Sequence, residues 1–192
     1  MIDTDVEAVL HFWLEACAPA DWYKVDADLD ETIRQRFADL WEQADMGGLH
    51  IWTSCPKGAL AYCILTDQFP RNMFRGSARA FATDWRARVA AKRAINQGYD
   101  QRVAAPGRQF FYLPLEHSES MSDQARAVGL IANRMDSPET LLHARVHREV
   151  IRRFGRFPFR NEALGREMST PEAEFMSNGA YGAILREFQA AA

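Results

Sequence analysis

The chain has 192 residues, 47% of them hydrophobic, and a formal net charge of −3. This length and composition exclude a disordered chain and predict a single domain over residues 1–192 with a substantial core. No apolar run approaches the roughly 20 residues that a transmembrane helix needs, so a membrane span is not predicted.

Charge is unevenly distributed along the chain. Residues 1–45 hold twelve acids and three bases, whereas residues 143–166 hold seven arginines and two glutamates. The two segments could pair with each other inside the fold, and the chain as a whole is acidic. We therefore do not predict nucleic-acid binding, which needs an uncompensated basic surface.

The cysteines and the first residues indicate a cytoplasmic protein. Cys17, Cys55 and Cys63 are odd in number and form no Cys-x-x-Cys pair, so neither a disulfide framework nor a zinc cage is predicted. Residues 1–5 are acidic rather than basic, unlike the start of a signal peptide. No glycine-rich phosphate loop or dinucleotide fingerprint is present, and no cofactor is predicted.

The first helices are predicted from capping patterns followed by apolar stripes. Thr4 with Glu7 is typical of a capping box and precedes the first stripe. Asp28 with Glu31 predicts the start of a second helix, which should end at the glycine pair 47–48.

An apolar helix is predicted from Pro56 to about Phe69, where it should form the buried centre of the fold. Pro70 should interrupt this helix, because proline has no N–H to donate. The next helix is predicted over residues 83–97.

In the second half of the chain, the residues that mark the starts of helices are easier to recognise. Residues 107–113 predict a short helical segment, and Ser122 is a possible cap for the next helix. Residues 137–139, Ser-Pro-Glu, predict a strong helix start, with Gly155 as the stop. Residues 170–172 repeat that signal, and Asn-Gly at 178–179 should divide the last segment into two helices.

No segment shows the alternation of a β-strand. The pattern predicts an all-α fold of about eight to ten helices with short connections, packed as antiparallel hairpins.

Three segments carry long, specific motifs. They are Thr66–Asp84, with Phe-Pro-Arg-Asn at 69–72; Phe111–Glu119; and Arg153–Glu172, with Phe-Pro-Phe-Arg-Asn at 157–161. Together with residues from Val9 onward they resemble the signatures of a bacterial domain-of-unknown-function family, number 924. The resemblance implies a tetratricopeptide-like all-helical fold and no established activity. Phe159 stands where the third signature is expected to have histidine, so a role that needs an imidazole there does not carry over.

The two Phe-Pro segments predict an anion-binding cleft, because each combines arginine and asparagine at a helix end. A small anionic ligand or a peptide carboxylate would bind there, with Glu116 helping to balance charge. The alternative is structural, since buried arginines need carboxylate partners such as Asp67. The candidate ligand-binding residues are Asp67, Arg71, Asn72, Arg75, Arg153, Arg156, Arg160 and Asn161.

A second hypothesis is a hydrolase-type enzyme. Residues 116–119, Glu-His-Ser-Glu, are the densest acid–base cluster in the chain. His117 or His147 could act as base and Glu116 or Glu119 as acid, with or without the assistance of a metal ion. The alternative for this cluster is capping of a helix start, which uses the same residue types.

The pair His143 and His147 is spaced for one metal ion on a helix. However, Arg145 and Arg148 oppose a cation, and a third ligand is not evident, so no metal is predicted.

A third hypothesis is a protein-interaction scaffold, which rests on fold analogy alone. The oligomeric state is not defined by these patterns.

Overall fold

The structure is a computed structural model that describes residues 4–190. These residues form α-helices joined by short 3-10 and π-helical segments, and none of them lies in a strand, which confirms the all-α prediction. The chain divides into two compact units, the first ending at Pro114 and the second starting at Leu115. A single domain over 1–192, the hairpin packing and a tetratricopeptide-like arrangement remain predictions. Part of the acidic start, residues 1–3, lies outside the described residues.

Unit 1 contains five α-helices. They are α1 (Thr4–His11), α2 (Ala27–Asp45), α3 (Pro56–Cys63), α4 (Phe69–Met73) and α5 (Asp84–Asn96). Two π-helical segments, Phe12–Ala16 and Ile64–Gln68, extend α1 and join α3 to α4. Short 3-10 helices connect the rest: Pro19–Asp21, His50–Ser54, Ala78–Phe81, Asp100–Arg102 and Gly107–Phe111.

The start of α2 differs from the prediction. Asp26, not Asp28, is the cap: its carboxylate accepts hydrogen bonds from the backbone N–H groups of Asp28 and Leu29, at 3.1 and 3.2 Å. Asp26 has an extended backbone, which allows its side chain to turn back onto the first turn, whereas Asp28 is already helical.

Pro70 does not interrupt the helix, so that prediction was wrong. The helix passes through its π-helical segment and continues as α4 to Met73. Because Pro70 cannot donate to the carbonyl of Thr66, the hydroxyl of Thr83 donates to it instead, at 2.6 Å. The same hydroxyl accepts a hydrogen bond from Trp41 Nε1 at 3.0 Å, so the buried Thr83 side chain acts both as a donor and as an acceptor.

The core of unit 1 is aromatic and centres on Phe69. Its ring lies 4.7 Å from that of Phe37 and 5.4 Å from that of Trp13, and Phe12 follows at 6.1 Å. All four rings are buried. Such offset and edge-to-face contacts stabilise a core beyond the area they bury.

Unit 2 holds α7 (Met121–Arg134), α8 (Pro138–Phe154), α9 (Thr170–Ser177) and α10 (Ala180–Ala190), with a 3-10 turn at Pro158–Arg160. The short α6 (Leu113–Glu116) leads into it. Helix α8 packs against α7 and α10. The buried core of the unit consists of Val146, Val150, Ile151, Phe157 and Ile184.

The start and end of α8 were predicted correctly. Ser137 Oγ accepts from the backbone N–H of Thr140 at 3.3 Å, and Gly155 ends the helix with a left-handed backbone, φ 71°. The next two starts were misplaced: α7 is preceded by Ser120 rather than Ser122, and α9 is capped by Ser169. None of the described helices is long and apolar enough to cross a membrane.

Candidate functional site

In unit 1 the end of α4 is joined to α2 by a carboxylate. Asp30 accepts two hydrogen bonds from Arg75, both 2.8 Å long, and a third of 2.8 Å from Asn72 Nδ2. Asp30 is buried, and its charge is matched by the guanidinium. Two predicted ligand residues, Asn72 and Arg75, are therefore engaged in a structural contact.

Arg71 is held between two further carboxylates. Its Nη1 lies 3.3 Å from Asp67 and 3.0 Å from Asp84. Burial alone would lower the pKa of Arg71, but these two acids outweigh it and raise the pKa. This arrangement matches the structural alternative for Asp67, since one guanidinium already faces two negative charges.

A groove on unit 1 lies between α1 and α2 and has a volume of about 340 Å³. Arg36 borders it, with its guanidinium 4.5 Å from the ring centre of Phe12. Asp5 and Asp39 also line the groove, and no predicted site residue does.

In unit 2 two predicted arginines are paired with carboxylates. Arg153 binds Glu149 at 2.7 Å and also contacts Glu187. Arg156 makes a bidentate pair with Glu172, at 2.6 and 2.8 Å. The hydrogen bond from Arg156 is the main reason that the pKa of Glu172 is lowered.

Glu119 anchors the third signature. It accepts from the backbone N–H of Phe157 at 2.9 Å and from Arg166 Nη1 at 2.8 Å. Burial would raise the pKa of Glu119, but these two hydrogen bonds outweigh it and lower the pKa. A proton donor needs a raised pKa, so these contacts favour an anchoring role for Glu119 over the acid role.

The loop that carries the acid–base cluster is held by buried side chains of α7. Gln124 Nε2 donates to the carbonyl oxygens of Glu116 and Ser118, the latter at 2.8 Å. Ser118 Oγ donates to Asp123 at 2.8 Å. Sequence reasoning missed Asp123 and Gln124, because polar residues after a serine read as an ordinary exposed first turn.

Three of the four predicted catalytic residues come together in unit 2. His147 Nδ1 lies 3.6 Å from Glu116 Oε2, and the rings of His147 and His117 are 5.9 Å apart. Glu116 is buried, whereas 19% of the His147 side chain is exposed. Glu119 is directed to Phe157 and Arg166 instead.

One contact determines which ring nitrogen of neutral His147 carries the proton. Its Nδ1 lies 2.9 Å from the carbonyl oxygen of His143, and a carbonyl can only accept. Nδ1 therefore carries the proton in the neutral ring, and Nε2 holds the lone pair. No hydrogen bond to this Nε2 is found among residues 4–190.

Aromatic rings and a cation surround His147. The rings of Tyr181 and Phe157 lie 5.1 and 5.8 Å away, and Arg160 lies 4.4 Å from the ring centre of Phe157. Burial above all, and then the neighbouring His117 and Arg160, lowers the pKa of His147 to about 3. His147 is therefore neutral at physiological pH.

The metal pair considered from the sequence does not converge. His143 Nδ1 lies 2.7 Å from Tyr181 Oη, and His147 Nδ1 faces the His143 carbonyl. In the part of the chain that the structure describes, no group of three or more His, Cys, Asp or Glu residues is arranged to hold a metal ion.

Comparison with known proteins agrees with the three signatures. Residues 9–180 match the family described as "Bacterial protein of unknown function (DUF924)", and the chain belongs to this family. It is also similar to a solved structure of a protein of unknown function from Agrobacterium tumefaciens, with 40% identity and a TM-score of 0.86. That match covers 91% of this chain and 97% of the other. No functionally curated protein matches significantly.

Proposed function

We propose that unit 2 binds a small anionic ligand at the surface formed around His147. The members of this His147 site are Glu116, His117, His147, Phe157, Arg160 and Tyr181. The observation that carries the proposal is the meeting of the second and third signatures there: Glu119 of one binds the backbone of Phe157 in the other. Residues that lie far apart in the sequence thus position His117, His147 and Arg160 together.

The electrostatics of the site support an anion. The pKa of His147 is lowered although the carboxylate of Glu116 is 3.6 Å from its ring, because burial above all, and then His117 and Arg160, oppose its protonation. A bound anion would relieve this opposition, since a negative charge nearby favours the cationic side chains.

Fewer residues would bind the ligand than the sequence suggested. Arg71, Arg75, Arg153 and Arg156 all have carboxylate partners, so their contribution is to hold the helices in place. Arg160 is chosen for its position, 4.4 Å from the ring centre of Phe157 and so near His147, and not for want of a partner. Asn161 is buried and its Nδ2 lies 3.4 Å from Met168 Sδ, so it supports the turn rather than meeting the ligand.

A second candidate function is general acid–base catalysis on the bound ligand. The position of the buried Glu116 beside the His147 ring favours it, because a carboxylate stabilises the imidazolium that forms when the ring takes a proton. With a pKa of about 3, however, His147 is a weak base in the free protein. Catalysis would therefore require a ligand that first raises this pKa.

The test is isothermal titration calorimetry with inorganic phosphate and with acetate. We expect saturable binding of at least one anion, weakened at least about tenfold in His147→Ala or His117→Ala, the loss of about one charge-assisted hydrogen bond. The control is Arg153→Ala, which removes a surface arginine that is paired elsewhere and should bind as the parent does. Absence of binding to every anion, or equal binding by His147→Ala, would contradict the proposal.

A further inference from the structure

We infer that the groove between α1 and α2 on unit 1 binds the zwitterion of an α-amino acid with an apolar side chain. The inference goes beyond the proposed function, because the groove belongs to the other unit of the chain and shares no residue with the His147 site. Its volume of about 340 Å³ lies within the range of small-molecule sites.

The positive group of the groove is Arg36, which two aromatic rings hold in place. Its guanidinium carbon lies 4.5 Å from the ring centre of Phe12 and 5.1 Å from that of Phe37, and both rings are buried. These contacts attract the cation but supply no oxygen acceptor to its N–H groups. No hydrogen bond or ion pair of the Arg36 side chain is found among residues 4–190. Arg36 therefore offers a preorganised fork of donors, which suits a carboxylate.

The negative group is Asp39, which lines the same groove three residues further along α2. Residues at this spacing are neighbours on a helix, with about 5–6 Å between their Cβ atoms. Asp39 is exposed, and within the described part of the chain it forms no ion pair with Arg36 or with another cation. Asp5 also borders the groove, from α1, but it already has an interaction, so the ligand's ammonium group falls to Asp39.

The two charges select a ligand that carries both signs. A simple anion bound to Arg36 would lie beside the carboxylate of Asp39, and a simple cation bound to Asp39 would lie beside the guanidinium of Arg36. Each would gain one favourable contact and one repulsive one. An α-amino acid carries its ammonium and carboxylate groups on the same carbon, so one molecule can satisfy both side chains.

The apolar part of the groove predicts the side chain of the ligand. Phe37 is buried, and Ala8 and Leu40 are half-buried where they line the groove. An apolar side chain placed against these residues is removed from water, which favours binding. The groove should therefore prefer leucine to glycine, although both carry the same two charges.

Isothermal titration calorimetry at pH 7 and constant ionic strength tests the inference with four probes: leucine, N-acetylleucine, leucinamide and glycine. N-acetylleucine keeps only the carboxylate and leucinamide only the ammonium group, so they also represent the two ends of a peptide. We expect saturable binding of leucine, and binding at least about tenfold weaker for each of the other three, because each lacks one of the contacts.

Two variants assign the contacts. Arg36→Gln removes the contact that distinguishes leucine from leucinamide, so the ratio of these two affinities should fall below about threefold. Asp39→Asn should do the same for leucine and N-acetylleucine. Because each readout is a ratio, a general loss of stability does not imitate it. The matched control is Arg145→Gln, at an exposed arginine of α8, which should bind leucine as the parent does.

Three results would overturn the inference. One is the absence of saturable leucine binding at millimolar concentrations. Another is equal binding of leucine and N-acetylleucine, or of leucine and leucinamide, which would indicate recognition of a single charge or of a peptide end. The third is a pair of unchanged ratios in Arg36→Gln and Asp39→Asn, which would place any leucine site elsewhere. The proposed function of unit 2 is not affected by any of these results, since its own test uses phosphate and acetate.

Discussion

His147 Nδ1 lies 2.9 Å from the carbonyl oxygen of His143, one helical turn earlier in α8. This contact determines which nitrogen of the imidazole carries the proton, and so what the site offers to a ligand. It also removes Nδ1 from any metal coordination.

The lowered pKa of His147 predicts a pH dependence of folding. The pKa is about 3 in the folded protein and 6.5 ordinarily, so between these values the unfolded chain binds more protons. The free energy of unfolding should therefore be fully maintained above about pH 6.5 and fall as the pH drops toward 3, by up to about 1 kcal/mol per pH unit. Urea unfolding at a series of pH values measures this slope.

The control for that slope is a pair of variants. His147→Gln should flatten the dependence between pH 4 and 6, a range inside the window set by the two pKa values. His11→Gln, at a histidine whose side chain is 68% exposed, should leave it unchanged. Equal slopes in the parent and in His147→Gln would show that another group dominates.

The contact between α4 and α2 should contribute measurably to stability. Asp30→Ala leaves Arg75 and Asn72 without their buried partner, and we expect the free energy of unfolding to fall by about 2 kcal/mol. The loss stays modest because the Arg75 side chain is 42% exposed and can be hydrated. Asp39→Ala, at an exposed aspartate of the same helix, should change it by less than about 0.5 kcal/mol. Similar losses in both variants would contradict this role of Asp30.

Thr83 should be essential to the helix around Pro70. Thr83→Val keeps the shape of the side chain but leaves the Thr66 carbonyl and Trp41 Nε1 without their shared partner. We expect a loss of about 2 kcal/mol in chemical unfolding, as for buried groups deprived of a hydrogen bond. Thr83 makes no side-chain cap of α5, so no capping contact is lost with it. A Thr32→Val control on the exposed face of α2 should cost much less.

One of the three thiols should react readily in the folded protein. Cys55 is exposed, whereas Cys17 and Cys63 are buried. Burial raises the pKa of the Cys63 thiol and, together with Asp21, that of Cys17, so both hold little thiolate. Titration with a chromogenic disulfide reagent should show one rapid thiol, absent in Cys55→Ser. Two rapid thiols would indicate that unit 1 opens more readily than its packing suggests.

Local signals account for the parts of the fold that were predicted well. Ser137 and Gly155 lie at the two ends of α8, and each acts through its own backbone or that of a residue within one turn. Pro70 was misread because the group that replaces its missing N–H belongs to Thr83, and no pattern of neighbouring residues indicates that contact. The Asp26 cap was missed because several aspartates in succession offered equivalent starts.

The sequence indicated several residues of the candidate site, but not the role of each one. Glu116, His117 and His147 were chosen as chemically suited residues, and the fold brings them together. The arginines were overestimated as ligand groups, because carboxylate partners such as Asp30, 45 residues from Arg75, are not recognisable from the sequence. Tyr181 lies 38 residues from His143, and an isolated tyrosine in the last helix gives no signal of that contact.

The most direct test of the central claim is an NMR titration of the histidine side chains with sodium phosphate near pH 6. Binding at the His147 site predicts saturable shifts of His117 and His147, with the exposed His11 and His50 responding only to ionic strength. The shifts at His117 and His147 should disappear or weaken at least about tenfold in His147→Gln or His117→Ala. Equal, non-saturable shifts of all five histidines, or no shift of His147 at all, would contradict the account.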